Sequence, residues 1–287
     1  MDNYDLNSVN HPEPHSGGAK SLVPWNWSHV IGALIIAVAG ILLIPLSPTI
    51  YYPVRDFLQR LPLNSYFATA VQFGTVTTTI LIGCAIYVLD KKCAVLLTYL
   101  AAALLINSVA INAVKEISGR SRPNWGLAMS HKHQRQLVEY SLSHGDVPVS
   151  AEKSDHWYGP VGQRPWFKDW FGSFPSGHAA GAFVLVAFLT ALYPQGRRLW
   201  LVIGVSCALS RVWGERHYLE DVMVGGAIGW TVSYWVFSWQ WPYRLGIYLV
   251  GRRARKETQP EKAMVELDSS MARCSACGSD VSLSHID

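Results

Sequence analysis

The sequence predicts an all-α fold: a polytopic membrane protein, a bundle of six transmembrane helices with a long extracytoplasmic loop between the third and the fourth. Three observations carry that expectation. Of the 287 residues 50% are hydrophobic and only 15% are charged, with 12 Trp and 13 Tyr, a balance that fits a membrane protein better than a soluble domain. The apolar residues are gathered into runs close to the ~20 residues a helix needs to cross the hydrocarbon core. The connections between the runs are uneven, tight turns alternating with one long polar stretch. That stretch and the polar ends dilute the mean hydropathy to +0.15.

Residues 1–28 are polar and rich in Asn, Pro and His. They read as a mobile tail, because no cationic segment leads into a short apolar core with a cleavage site. His29 to Leu46 is the first span and an uncleaved anchor. The link from Ser47 to Ser65 ("YYPVRDFLQRLP") lies partly in the interface. Tyr66 to Leu89 is the second span, Asp90 to Lys92 a tight turn, and Cys93 to Val114 the third span. The loop 124–173 is polar and closes on "PWFKDWF", an aromatic belt at headgroup level. Ala179 to Gln195 is the fourth span, and Pro194 to Arg198 another tight turn. The fifth is short: Leu199 to Ser210 is uncharged for 12 residues, roughly 18 Å against a core of about 30 Å. The helix must continue through Arg211 or sit with a polar end below the surface. Either way Arg211 is a charge at membrane depth, which is costly and marks a functional site. Val222 to Trp241 is the sixth span. The core unit is therefore 29–242, and 243–287 is a tail, basic at first ("GRRARK") and then disordered.

Six spans put both termini on one side. The raw count of Lys and Arg is even, but Lys91, Lys92, Arg197, Arg198 and the cluster at 252–256 flank helices on the terminal side. The termini are therefore expected in the cytoplasm. A net charge of +4 is too small to point to nucleic acid. Cys84, Cys93 and Cys207 read as packing residues. Cys274 and Cys277 form a lone C-x-x-C, and a zinc site would need a second ligand pair. His131 and His133 belong to a solvated loop rather than a metal site. The sequence leaves the oligomeric state open.

In an alternating bundle the end of the third span, the start of the fourth, the end of the fifth and the start of the sixth share one membrane face. The residues there are "KEISGRSRP" (115–123), "PSGH" (175–178) and "SRVWGERHYLED" (210–221). Lys115, Arg122 and Arg211 are three fixed cations that call for an anion, Arg by bidentate and Lys by point-charge contact with phosphate. The "PSGH" turn adds backbone N–H groups at a helix N-terminus, and Gly177 lets the anion approach. His217 and Asp221 are spaced i, i+4. On a helix Asp221 accepts from Nδ1–H and leaves Nε2 free as an oriented nucleophile or base. With His178 on another helix, two imidazoles flank one bound group: one attacks phosphorus, the other protonates the departing oxygen and then activates water. Arg120, Arg216 and Glu220 lie among these residues without an assigned role.

Lys115 with Arg122-Pro123, Pro175 to His178, and Ser210 to Asp221 fit K-x6-R-P, P-S-G-H and S-R-x5-H-x3-D, in order and in spacing. The chain thereby resembles the type 2 phosphatidate phosphatase superfamily over about residues 60–241. The resemblance implies that Lys115, Arg122 and Arg211 hold phosphate oxygens, with Ser176 and the Gly177 N–H completing the cradle. It implies His217 as the nucleophile, Asp221 as its orienting partner, His178 as the general acid, and no metal or other cofactor. The expected activity is removal of the terminal phosphate from a lipid phosphate or diphosphate (isoprenoid diphosphate, phosphatidic acid or phosphatidylglycerol phosphate) in a bacterial inner membrane, with the site facing away from the cytoplasm. A phosphotransferase would share the first half-reaction. Vanadium haloperoxidases share the signature but resemble soluble proteins. A lipid-binding protein with a vestigial site would have lost His217, Asp221 or His178, and all three are present.

Overall fold

The computed structural model describes residues 21–23, 26–89, 95–123, 155, 157, 159–160 and 172–249. The tight turn at 90–92, most of the 124–173 loop with its aromatic belt and His131 and His133, the polar N-terminus, and the tail with Cys274 and Cys277 lie outside those residues. What is described is helical, with one isolated bridge between Arg120 and Trp157. In chain order the helices are α1 (Ser28–Leu43), α2 (Ser47–Arg60), α3 (Asn64–Ala70), α4 (Val76–Leu89), α5 (Leu97–Ser118), α6 (Gly177–Leu192), α7 (Arg197–Trp213) and α8 (Leu219–Phe237). A further helical stretch covers 241–249.

Among these, Ser28–Leu46 and Leu97–Ser118 are long and apolar enough to cross a membrane. The second expected span is bent. Tyr66 to Leu89 is not one straight helix, because α3 with its 3-10 extension to Gly74 meets α4 at 70°. Nothing in the local sequence forces that break; a tertiary contact explains it. A Cβ on Gly74 would sit 2.5 Å from the His178 carbonyl oxygen, so the chain is held against the start of α6 at the point where it turns. The link at 47–65, expected in part at the interface, is mostly the helix α2, and it contributes Tyr51 and Leu58 to a buried cluster with Tyr218 and Val222.

α8 is the central helix, packed against α1, α5, α6 and α7. Its apolar character on every side follows from that position, since a helix surrounded by others has no polar face to keep. Its glycines set the approach of α6. A Cβ on Gly225 would lie 2.4 Å from the Ser176 carbonyl oxygen, and one on Gly229 would lie 2.1 Å from that of Ala180. Gly225→Ala is expected to destabilise the protein by ~1–3 kcal/mol through overpacking. That outweighs the gain of up to ~1 kcal/mol in helix propensity. Melting in detergent should show the loss.

α7 runs through Arg211 to Trp213, one of the two outcomes its short apolar run allowed. It ends at Gly214, and Glu215 then adopts a left-handed conformation (φ 55), unusual for a residue with a side chain. The reversal folds the chain back, and the N–H groups of Arg216 and His217 both donate to the Arg211 carbonyl at 3.0 and 3.3 Å.

Candidate active site

Four helix ends meet at one end of the bundle. α5 finishes at Ser118 and is capped by Gly119 in the left-handed region (φ 56), whose N–H donates to Lys115 O at 3.2 Å. Glycine suits such a cap because it has no Cβ to clash. Lys115 is thus held on the last turn of α5 while the chain returns through Arg120 to Arg122. Ser118 Oγ donates to the Phe174 carbonyl at 2.8 Å, tying the "PSGH" turn to the end of α5. At the start of α6, Ser176 is the N-cap, and its Oγ accepts from the Ala179 N–H at 3.4 Å.

One expected donor is already used: the Ser176 N–H donates to the Asp221 carbonyl at 2.9 Å. The N–H groups of Gly177 and His178 follow at the first two helical positions, where a helix offers no acceptor of its own. Lys115 Nζ lies 3.7 Å from where a Gly177 Cβ would stand. Lys115 interacts electrostatically with Arg122 and Arg211, and all three cations act on His178. Arg211 Nε is buried without a hydrogen-bond partner among the described residues. The structure therefore gathers Lys115, Arg122, Ser176, Gly177, His178, Arg211, His217 and Asp221 at one place.

The His217–Asp221 pair is built differently from the expected i, i+4 helical pair. α8 begins only at Leu219 with Tyr218 as N-cap, so His217 lies outside the helix. Its Nδ1 is 2.7 Å from the carbonyl of Ser173 and 3.8 Å from Asp221 Oδ2. The Nδ1–H therefore donates to Ser173 O, which fixes the tautomer and leaves Nε2 as the free nitrogen. Asp221 supports from one step further out. Its Oδ2 accepts from the Tyr218 N–H at 2.9 Å and from the Ser173 hydroxyl, so it holds the residue whose carbonyl holds the imidazole. Ser173 was missed from sequence, where nothing but its nearness to "PSGH" signals it.

Arg120 was noticed but given no task, and it is the best-connected side chain here. It is 0% exposed. Its Nε and Nη2 donate to both oxygens of Asp155 at 2.7 and 2.6 Å, and Nη2 also donates to Ser47 Oγ at 2.7 Å. It pairs with Glu220 and with Asp221 Oδ1, and its guanidinium stands 4.1 Å over the Tyr218 ring and 4.9 Å over that of Trp157. Burial opposes its charge, but Asp221, Asp155 and Glu220 outweigh that and raise its pKa above the ordinary value. These contacts fasten Asp155 and Trp157 to the turn that carries Arg122. The Gly159 N–H adds a bond to Ser118 O at 3.3 Å.

His217 is 2% exposed. Burial, with Arg211 and Arg122 adding to it and Asp221 only partly opposing, pushes it down to about 3. The imidazole is therefore neutral, the state in which a ring nitrogen can act as a nucleophile. A folded pKa below the ordinary 6.5 means that the unfolded chain takes up the proton first. The stabilisation is full above about pH 6.5 and is lost as pH falls from there toward 3. Without substrate, the melting temperature should drop across that window, and His217→Gln should flatten part of the slope.

The family model described as the PAP2 superfamily matches residues 94–244, more than half of the chain. Two solved structures are similar. One is the crystal structure of Aquifex aeolicus LpxE, 16% identical with a TM-score of 0.47, covering 68% of this chain and 96% of that one. The other is the first transmembrane PAP2 type phosphatidylglycerolphosphate phosphatase from Bacillus subtilis, 19% identical with a TM-score of 0.41, covering 73% of this chain and 92% of that one.

Proposed function

The chain belongs to the PAP2 superfamily, and from that premise we propose that it is an integral-membrane phosphatase removing the terminal phosphate of a lipid phosphate or diphosphate without a metal ion. The observation that carries this reading is the convergence of three cations, a helix N-terminus and two imidazoles from separate chain segments. The phosphate oxygens lie among Lys115, Arg122, Arg211, the Ser176 hydroxyl and the N–H groups that open α6. His217 Nε2 attacks phosphorus, and the bond from phosphorus to the lipid oxygen breaks as His178 gives that oxygen a proton. The positive charge on the phosphorylated imidazole is met by the Ser173 carbonyl and by Asp221, 3.8 Å from Nδ1. His178, now neutral, takes a proton from water; the hydroxide displaces His217 from phosphorus, and inorganic phosphate leaves.

The surrounding architecture belongs to the same proposal. α1, the bent α3–α4 pair, α5, α6, α7 and α8 are six crossings forming one domain over 29–242, with the tails outside it. The termini are cytoplasmic and the site faces away from the cytoplasm in a bacterial inner membrane. The substrate classes that fit are isoprenoid diphosphates, phosphatidic acid and phosphatidylglycerol phosphate. The test is inorganic phosphate released by detergent-purified protein in EDTA from each of these lipids, with the His217→Ala protein as blank. Release above the blank that survives EDTA supports the reading. Release that EDTA abolishes removes its metal-free step. Release from none, with transfer to an added sugar-lipid hydroxyl instead, assigns a phosphotransferase.

A further inference from the structure

A cavity of about 280 Å³ extends from the cradle between α4, α5 and α6, with Lys115 and Gly177 at one end. Its wall is not the plain hydrocarbon that suits an alkyl or prenyl chain, because Thr75, Thr79, Asn107, Ser108 and Asn112 line it among aliphatic neighbours. Several of these polar groups are engaged locally. Thr75 Oγ1 donates to Gln72 O at 2.7 Å, Thr79 Oγ1 to Thr75 O at 3.1 Å, and Asn112 Nδ2 to Ser108 O at 2.9 Å. Asn107 differs. It is 5% exposed, and its Oδ1 is buried without a hydrogen-bond partner among the described residues.

An unsatisfied buried amide oxygen is a standing cost that a ligand entering the cavity would offset. Asn107 shares a stripe of α5 with Ile111 and Lys115, spaced i, i+4 and i+8, which puts it about 12 Å along the helix axis from Lys115. Helical side chains lean toward the helix N-terminus, so the Lys115 ammonium reaches back toward that level. With phosphate in the cradle, Asn107 meets the part of the lipid a few bonds below the phosphate.

We propose that Asn107 is a specificity-determining residue that hydrogen-bonds a hydroxyl or amide group on the lipid, so that the favoured substrate is a hydroxylated or N-acylated lipid phosphate rather than a prenyl one. This rests on the phosphatase reading above. An amide side chain can turn its oxygen or its nitrogen to such a group. A hydroxyl or secondary amide answers either face, whereas a prenyl chain answers neither. Sites built around a hydrogen bond reject analogues that lack it far more strongly than apolar pockets discriminate by size.

The experiment compares kcat/KM of the full-length protein in bilayer discs for ceramide 1-phosphate and for a polyprenyl phosphate, with ethyl phosphate as a soluble ester too short to reach Asn107. The expected result is a preference for ceramide 1-phosphate of about tenfold or more. Asn107→Leu should collapse that preference while leaving hydrolysis of the soluble ester unchanged. If the leucine variant fails to accumulate, Asn107→Ser, smaller but polar, should reduce the preference in its place. Equal rates for the two lipids in the unaltered protein overturn the proposal. So does an Asn107→Leu variant that lowers all three substrates alike, since Asn107 would then be a packing residue. No release from any of the three overturns the phosphatase reading itself, a different outcome from release without preference.

Discussion

His217→Ala is expected to lower kcat for phosphate release by about 10⁴–10⁶-fold, the range seen when a nucleophile or its base is removed, with little change in KM. The split follows from the geometry: the cations proposed to hold phosphate, Lys115, Arg122 and Arg211, come from other positions and stay in place. Asp221→Asn is expected to cost less. The Nδ1–H sits on the Ser173 carbonyl at 2.7 Å rather than on the carboxylate at 3.8 Å, so the tautomer survives the change. Steady-state kinetics on one lipid phosphate test both. An Asp221→Asn loss equal to that of His217→Ala would show that the carboxylate orients the ring directly during turnover.

Arg120→Met is expected to cost about 3–5 kcal/mol, the penalty of removing one partner from a buried ion pair, and to abolish activity with it. Asp155, Glu220 and Asp221 would be left as carboxylates with side chains 9%, 2% and 0% exposed and without their shared cation. Arg120→Lys keeps the charge, but a single ammonium cannot serve Asp155 through two nitrogens while also reaching Ser47 and Asp221. Its melting temperature should fall between those of the two other proteins. Asp155→Asn in the Arg120→Met background should restore part of the loss by removing one stranded charge. Melting of the four proteins in one detergent measures this. An Arg120→Met protein as stable as the parent would show that the three carboxylates are protonated or hydrated instead.

The meeting of the candidate site residues was legible because they stand as residue types at fixed spacings, and the all-helical architecture because its apolar runs are long. What the sequence hid is non-local. Arg120 stands two positions from Arg122, but its partners come from 35 and 100 residues away, so no window on the chain reveals its role. The i, i+4 rule placed His217 and Asp221 together for the wrong reason. Asp221 serves as the acidic residue at a helix start, bonded to the Tyr218 N–H, and that assignment shifts the helix boundary past His217. The break between α3 and α4 has no proline to announce it. It is set by the contact of Gly74 with His178, more than 100 residues later in the chain.

α6 and α7 have 16 and 17 residues, about 24 and 26 Å of helix, and α7 carries Arg211 in its last turn. With both read as crossings they fall short of a hydrocarbon layer of about 30 Å, and the mismatch is met by thinning of the bilayer beside them. On the proposed reading the headgroup plane would then dip toward the cradle, and a lipid phosphate would reach Lys115 and Arg211 by moving sideways along the surface rather than being drawn out of the leaflet. Membrane thickness becomes a control on this enzyme: turnover should be faster in thin, short-chain bilayers than in thick ones, at equal surface density of substrate.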